Sequence, residues 1–257
     1  MSNDEVLFET TTPFGHYQVV DTVYEGRPAR VLFSGDHVAA QSGVPRDGKP
    51  DLLFDYNQRL FELVEQLQPK RLLMIGGGAF TLPTALNLAM SGLLIDVVEQ
   101  DPVLVALAER YFDLVTSDKL HVITGEGRAY LDSTTQKYDL IIIDAFSHVQ
   151  MPQSLATGQA AAAMAQALMP GGAVAVNIIA AYRGRRVTPL IRLCAAFTEV
   201  FKRLTLYQAN PAYSEWTAQN YILLGQQSGV VPTLRFEPVE VPYTDHDDVL
   251  DDAAITV

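Results

Sequence analysis

The stretch Leu72-Leu73-Met74-Ile75-Gly76-Gly77-Gly78-Ala79-Phe80-Thr81 constrains the fold of this chain more than any other. Four large apolar residues run into three glycines, which reads as a fully buried strand stopping in a tight turn, with a helix from Thr81 to Ser91 beyond it. Glycines remove the Cβ atoms that would keep a ligand off the backbone, and the helix N-terminus leaves N–H groups unpaired toward it. A glycine run alone is a weak signal. It gains weight from Glu99, which closes the next apolar strand, Leu93 to Val98, at about the 20-residue offset where nucleotide-binding folds place an acid for the ribose hydroxyls. A dinucleotide fingerprint needs glycine where Thr81 stands, so the pattern favours a nucleoside over a pyrophosphate.

Strands and helices alternate on either side of this centre. Asp101-Pro102 supplies an N-cap and a first-position proline for a helix through Phe112. Leu120 to Ile123 reads as strand, Gly125 to Leu131 as turn and short helix, and Tyr138 to Ile143 as a central strand ending at Asp144. A helix over 153–168 stops at Pro170-Gly171-Gly172, followed by a strand over 173–178 and a helix from Val187 to Lys202. The last two strands, Leu204–Tyr207 and Asn220–Leu224, have nothing helical between them and must therefore run antiparallel. These elements predict an α/β fold with a seven-stranded, mostly parallel, doubly wound sheet and one reversed strand at its edge, the class I methyltransferase (Rossmann-like) architecture.

Residues 6 to about 45 differ, with β-rich runs at 16–24, 29–33 and 36–39 that predict a small antiparallel domain. Gly43 to Pro50 reads as a linker and hinge, and Asp51 as the cap of a helix whose apolar face runs from Leu52 to Leu67. The expected organisation is an N-terminal β domain and linker over 1–50, a nucleoside-binding catalytic domain over 51–228, and a tail over 229–257.

Composition narrows the partners. A formal charge of −12 repels nucleic acid phosphates and favours a cationic ligand such as a polyamine or a sulfonium. Seven of the acids (Glu237, Glu240, Asp245, Asp247, Asp248, Asp251, Asp252) fall in the tail, which reads as solvated or loosely docked. The sequence has no apolar run of membrane-spanning length, and Met1 to Glu5 lacks signal-peptide character, so no membrane partner and a cytoplasmic location are expected. Cys194 has the neighbours of a helix core residue, and the five histidines show no metal-ligand spacing.

Open α/β sheets bind ligands beyond the carboxyl ends of their strands. Gly76 to Gly78, Glu99 to Asp101, Gly125-Glu126-Gly127 and Asp144-Ala145-Phe146-Ser147 lie at those ends. Glu99 is assigned to the ribose. Glu126 has two readings, a helix N-cap or an acceptor for an adenine amine. Asp144 is read as functional rather than as a cap for helix 153–168, because at least eight residues intervene.

Over almost its whole length, to about residue 226, the chain resembles the spermidine synthase (polyamine aminopropyltransferase) family, in its divergent spermidine-synthase-like branch. The resemblance is carried by Tyr17-Gln18, Gln41-Ser42, Tyr56, Ile75-Gly76-Gly77-Gly78, Val98-Glu99-Gln100-Asp101, Gly125-Glu126-Gly127, the run from Tyr138 to Asp144, and Tyr213. It implies a co-substrate, decarboxylated S-adenosylmethionine, lying across the sheet ends. Glu99 would be at the ribose, Glu126 near the adenine, Gln18 and Gln41 around the nucleoside, Gln100 and Gly127 among the residues binding the co-substrate, and Asp144, Tyr56 and Tyr213 about an attacking amine. A small-molecule amine substrate, a homodimer and no metal are further implications. Read without the resemblance, Gln18 and Gln41 are ordinary strand residues, and Tyr56 and Tyr213 are core aromatics.

The implied reaction is displacement at the methylene beside a sulfonium by a neutral amine, releasing methylthioadenosine. An amine with a pKa near 10.4 is neutral to roughly one part in a thousand at pH 7, so a base at Asp144 would be needed. Three positions depart from the family pattern: Ala79-Phe80 replace an acid, Ser147 stands at a second acid, and Asn57-Gln58 follow Tyr56. Two rivals follow, a methyltransferase using intact S-adenosylmethionine and a nucleoside-binding module without turnover. Arg183, Arg185 and Arg186 would favour the first rival if they reached the site, although a solvated helix start is the simpler reading. His148 reads as a solvated loop residue.

Overall fold

The computed structural model describes residues 4–35, 39–49, 51–146, 151–242, 244 and 248–252. An antiparallel meander opens the chain: β1 (Glu5–Thr12), β2 (Gly15–Tyr24), β3 (Arg27–Ser34) and β4 (Ala39–Pro45), paired in that order. Glu25 and Gly26 both take positive φ (47° and 80°), the geometry that a tight two-residue hairpin demands between β2 and β3. Of the strand expected at 36–39, residues 36–38 lie outside the described residues and Ala39 opens β4.

Of the linker and hinge expected at Gly43–Pro50, Gly43 to Pro45 belong to β4, and Pro50 lies outside the described residues. β4 continues through Pro45, and a Cβ on Gly43 would lie 2.9 Å from both the Arg30 carbonyl and Leu53. Glycine is there for close packing. Beyond it Arg27 pairs with Asp47 at 3.0 Å and Asp51 at 2.8 Å, which pins the connection. Asp51 is thereby committed to Arg27, and the next helix, α1 (Asp55–Leu67), starts later with Phe54 at its cap position.

The second sheet is built from β5 (Arg71–Ile75), β6 (Leu94–Glu99), β7 (Leu120–Thr124), β8 (Tyr138–Ile143), β9 (Leu168–Ala180), β10 (Arg203–Gln208) and β11 (Gln219–Gln226). Helices α2 (Thr81–Ala89), α3 (Pro102–Tyr111), α4 (Gly127–Ser133), α5 (Gly158–Gln166) and α6 (Thr188–Thr198) connect them. Its order is β10-β11-β9-β8-β5-β6-β7, with β11 antiparallel to both neighbours and every other described pairing parallel. The expected fold class is therefore found, but the reversed strand is penultimate rather than at the edge. Tyr221, Ile222, Leu223 and Leu224 are all buried, so β11 presents apolar side chains to both faces and suits an interior place. Helix 153–168 is also revised, to a 3-10 turn at Gln153–Leu155 and then α5, capped by the Thr157 hydroxyl accepting from the Ala160 amide at 3.0 Å.

Alternation along β5 sends Leu73 and Ile75 to one face of the sheet, with Met164, Leu193 and Phe197, and Leu72 and Met74 to the other, with Leu60, Leu63 and Leu86. Cys194 lies in the first of these layers, where burial pushes its thiol pKa up to about 12. A smaller cluster of Tyr17, Leu32, Ala79, Leu104 and Phe112 joins the meander to the glycine loop and α3. The Thr12 hydroxyl, donating to Asp101 at 2.6 Å, makes a polar tie across the same seam.

The acidic segment after β11 is docked, contrary to its composition. Tyr207 and Tyr182 donate to the Pro232 and Glu240 carbonyls (2.7 and 2.8 Å), and Val239 bridges to Leu206. The Phe236 ring lies 5.0 Å from the Arg59 guanidinium, and Asp252 pairs with Arg128 at 2.7 Å. Leu234, Val239 and Val241, spaced among the acids, pack on the core. Asp245 and Asp247 lie outside the described residues. No helix among the described residues is long and apolar enough to cross a membrane.

Candidate active site

A crevice of about 1240 Å³, including solvent at its mouth, lies where the carboxyl ends of β5, β6, β7 and β8 meet the meander. Glycines let the strand ends converge there. Gly76 has φ +90°, and a Cβ on it would stand 2.4 Å from the Asp144 carbonyl oxygen; one on Gly127 would stand 2.2 Å from Ile75. Phe80 takes φ +57° at the cap of α2 and tucks its ring under Gly77. Gly76, Gly77, Gly78 and Gly127 all line the crevice, as a backbone floor requires.

Glu99 is buried and holds two loops at once. Its Oε2 accepts from the Gly77 amide at 2.8 Å and its Oε1 from the Asp101 amide at 2.9 Å. Burial raises its pKa, and these backbone donors pull against that rise. The Gly78 amide also donates to this carboxylate, whose remaining acceptor capacity is open to a hydroxyl. Asp101 accepts from Val103 at 2.9 Å to cap α3 while also holding Thr12. Gln100 lies exposed on the rim. Glu126 accepts from the Arg128 and Ala129 amides at 3.0 and 2.7 Å, so the capping reading holds, and it still borders the crevice.

Asp144 caps no helix, since Thr157 does that for α5. The Asn177 amide donates to its Oδ1 at 2.8 Å, and Asn220 in turn donates to Asn177 at 3.0 Å. Desolvation raises the Asp144 pKa to about 7; the bonds from Asn177 and Tyr56 act the other way. Burial and the charge of Asp144 raise the Tyr56 pKa, so its hydroxyl remains a donor. That hydroxyl also reaches the Gln41 carbonyl at 3.3 Å, and the Gln41 side chain donates to Ser34 at 2.8 Å. A carboxyl with a pKa near 7 can accept a proton from a bound amine far more readily than an ordinary aspartate.

Gln18 lies outside the crevice, and Tyr213 borders a pocket that adjoins it at Tyr56. The neighbours of Gln18, His16 and Tyr17, do line the crevice. Tyr213 is 45% exposed and borders an adjoining pocket of about 560 Å³ with Tyr24, Asp55, Asn210, Gln219 and Asn220; Tyr56 borders both. Ser147 and His148 lie outside the described residues. Arg183 is paired with Glu215, and none of Arg183, Arg185 and Arg186 lines the crevice. Asn177 and Asn220 were missed from the sequence. The available signal was one amide inside the apolar run Ala173 to Ala180.

The family model of the spermine/spermidine synthase domain matches residues 54–222. The chain belongs to the spermine/spermidine synthase family. A polyamine aminopropyltransferase of Vibrio vulnificus is 36% identical over 113 residues, which are 43% of this chain and 38% of that protein. A putrescine N-methyltransferase 2 of Nicotiana attenuata is 33% identical over 112 residues, 41% of this chain and 30% of that protein. The matched region thus spans well under half the length of these two relatives. A probable spermidine synthase structure from Corynebacterium glutamicum superposes with a TM-score of 0.74 at 19% identity, covering 88% of this chain and 82% of that one, and so shares the fold.

Proposed function

We propose that this member of the family is an aminopropyltransferase, moving the aminopropyl group of decarboxylated S-adenosylmethionine to a small amine. The observation that carries the reading is the charge of the crevice: Glu99, Asp101, Glu126 and Asp144 line it, and no lysine or arginine does among the described residues. A sulfonium with a free ammonium suits that field, whereas the carboxylate of intact S-adenosylmethionine would enter it without a counter-ion. Glu99 would take the ribose, Glu126, Gly127 and Gln100 the nucleoside rim, and Asp144 the proton of the attacking nitrogen. The nitrogen lone pair forms the N–C bond as the C–S pair returns to sulfur. Methylthioadenosine leaves, and the proton passes to Asp144. Tyr56 and the adjoining pocket with Tyr213 would hold the acceptor. A homodimer in the cytoplasm completes this reading.

A methyltransferase is the second reading, favoured by the match to a putrescine N-methyltransferase and by Ala79, which is buried against Tyr17 and Leu104 and offers no carboxylate to an aminopropyl ammonium. Incubation with putrescine or a polyamine mixture and each sulfonium in turn separates them. Methylthioadenosine supports aminopropyl transfer, S-adenosylhomocysteine supports methyl transfer, and binding without either product supports a silent nucleoside-binding module.

A further inference from the structure

We propose that Asp252, acting through Arg128, is a positioning residue for the nucleoside end of the crevice. The inference rests on the crevice binding an adenosyl thioether and gives a role to the acidic C-terminal segment, which the reaction leaves unused. Arg128 directly follows Glu126 and Gly127, which line the crevice. Its guanidinium meets Asp252 in a two-pronged pair, Nη1 to Oδ1 at 2.9 Å and Nη2 to Oδ2 at 2.7 Å. The same Nη1 donates to the Ser154 carbonyl at 3.1 Å and to the Thr157 hydroxyl at 3.3 Å, and Nε donates to Asp132 at 2.9 Å.

Asp252 holds the other side of this junction as well. Its Oδ1 accepts from the Thr157 hydroxyl at 2.7 Å, and its amide donates to Gln159 at 3.3 Å. Two residues earlier, the Leu250 carbonyl accepts from the Gly158 amide at 3.0 Å. Three separate stretches are thus fastened at one point: the start of α4, the 152–158 connection into α5, and the C-terminal segment. Pro152 and Leu155, within the second stretch, form crevice wall together with Glu126 and Gly127. A planar guanidinium gripped by a carboxylate at two atoms fixes direction as well as distance, which a single ammonium contact does not. Asp252 touches no part of the crevice and would act only by setting how far Pro152 and Leu155 stand from Glu126.

The test compares wild type with Asp252→Ala and Asp252→Asn, full-length, by calorimetric titration with methylthioadenosine and by steady-state kinetics. The expected result is about a fivefold rise in Kd and in KM for the sulfonium in the alanine variant, a smaller rise in the asparagine variant, which keeps one acceptor, and a much smaller change in kcat. Backbone hydrogen exchange at 152–160 should quicken in the alanine variant while exchange in β5 and β8 stays at the wild-type rate. Unchanged Kd, or equal losses in kcat and affinity with faster exchange throughout the sheet, overturns the proposal. Wild-type protein that binds neither methylthioadenosine nor S-adenosylhomocysteine overturns the nucleoside reading itself, and the proposal with it, whereas wild-type binding with no response at Asp252 removes the positioning role alone.

Discussion

Asn177 donates its side-chain amide to Asp144 at 2.8 Å from the neighbouring strand, and is itself only 1% exposed. A partly buried carboxyl thus has, beside the Tyr56 hydroxyl, a fixed donor on the neighbouring strand. Desolvation raises the pKa of the proposed base, and Asn177 opposes that rise while fixing the direction of the carboxyl.

Asp144→Asn should lower methylthioadenosine release roughly 10²- to 10⁴-fold, because the amide cannot take the amine proton. With a pKa near 7, the wild-type rate should rise with pH through that value as the charged form accumulates. Stability should move the opposite way. The folded pKa lies above the unfolded one, so the folded state binds the extra proton between about pH 4 and 7 and loses stability as pH rises across that window. The variant should therefore melt above wild type at pH 8, and the gap should close toward pH 4; thermal scans at the two pH values check this.

Asn177→Ala removes a bond that favours the charged carboxylate, and the pH midpoint of kcat should shift to higher pH. Activity at pH 7 should fall about tenfold, the size expected for a hydrogen bond to a charged group. A pH–rate profile measured beside the wild type reads both effects.

Glu99→Gln keeps the shape of the side chain but sets an NH2 group against the Gly77 or the Asp101 amide. One buried donor then loses its acceptor, at a cost of about 1–3 kcal/mol. Methylthioadenosine affinity should drop about tenfold by calorimetry, as the loop that forms the crevice floor loosens.

Gly76→Ala combines a positive φ with a Cβ placed against the Asp144 carbonyl. Destabilisation of about 3 kcal/mol is expected, visible as a lower urea midpoint. Gly125, whose Cβ would meet nothing within 4 Å, supplies the contrasting control, and Gly125→Ala should unfold near the wild-type midpoint.

Much of this architecture was legible because it is written in local pattern. The apolar runs of β5, β6 and β8 each end in a glycine or a carboxylate, and Asp101-Pro102 starts α3 as its chemistry dictates. What escaped depended on neighbours distant in sequence. Tyr17 and Gln18 differ by one residue, and only the packed meander decides which faces the crevice. Asn177 looks like a flaw in an apolar strand until β11 brings Asn220 beside it. Acids and prolines dominate the C-terminal segment, while Leu234 and Val239, too widely spaced to form a periodic pattern, dock it on the core. Asp51 was a reasonable helix cap until Arg27 claimed it from another element.

The reversed course of β11 has one more consequence. Because the strand enters the sheet at the ligand end, the 209–218 connection lies beside the pocket that Tyr56 and Tyr213 border. The Glu215 carbonyl ties it down by accepting from the Tyr182 and Arg183 amides, while Tyr213 and Trp216 stay exposed. On the proposed function, nucleoside recognition belongs to turns wedged between parallel strands and their helices, where any change of length would disturb the sheet. The connection can change the exposed side chains at Tyr213 and Trp216 without disturbing the sheet. On that same proposed function, the choice of acceptor can therefore drift through evolution while the grip on the sulfonium donor stays as it was.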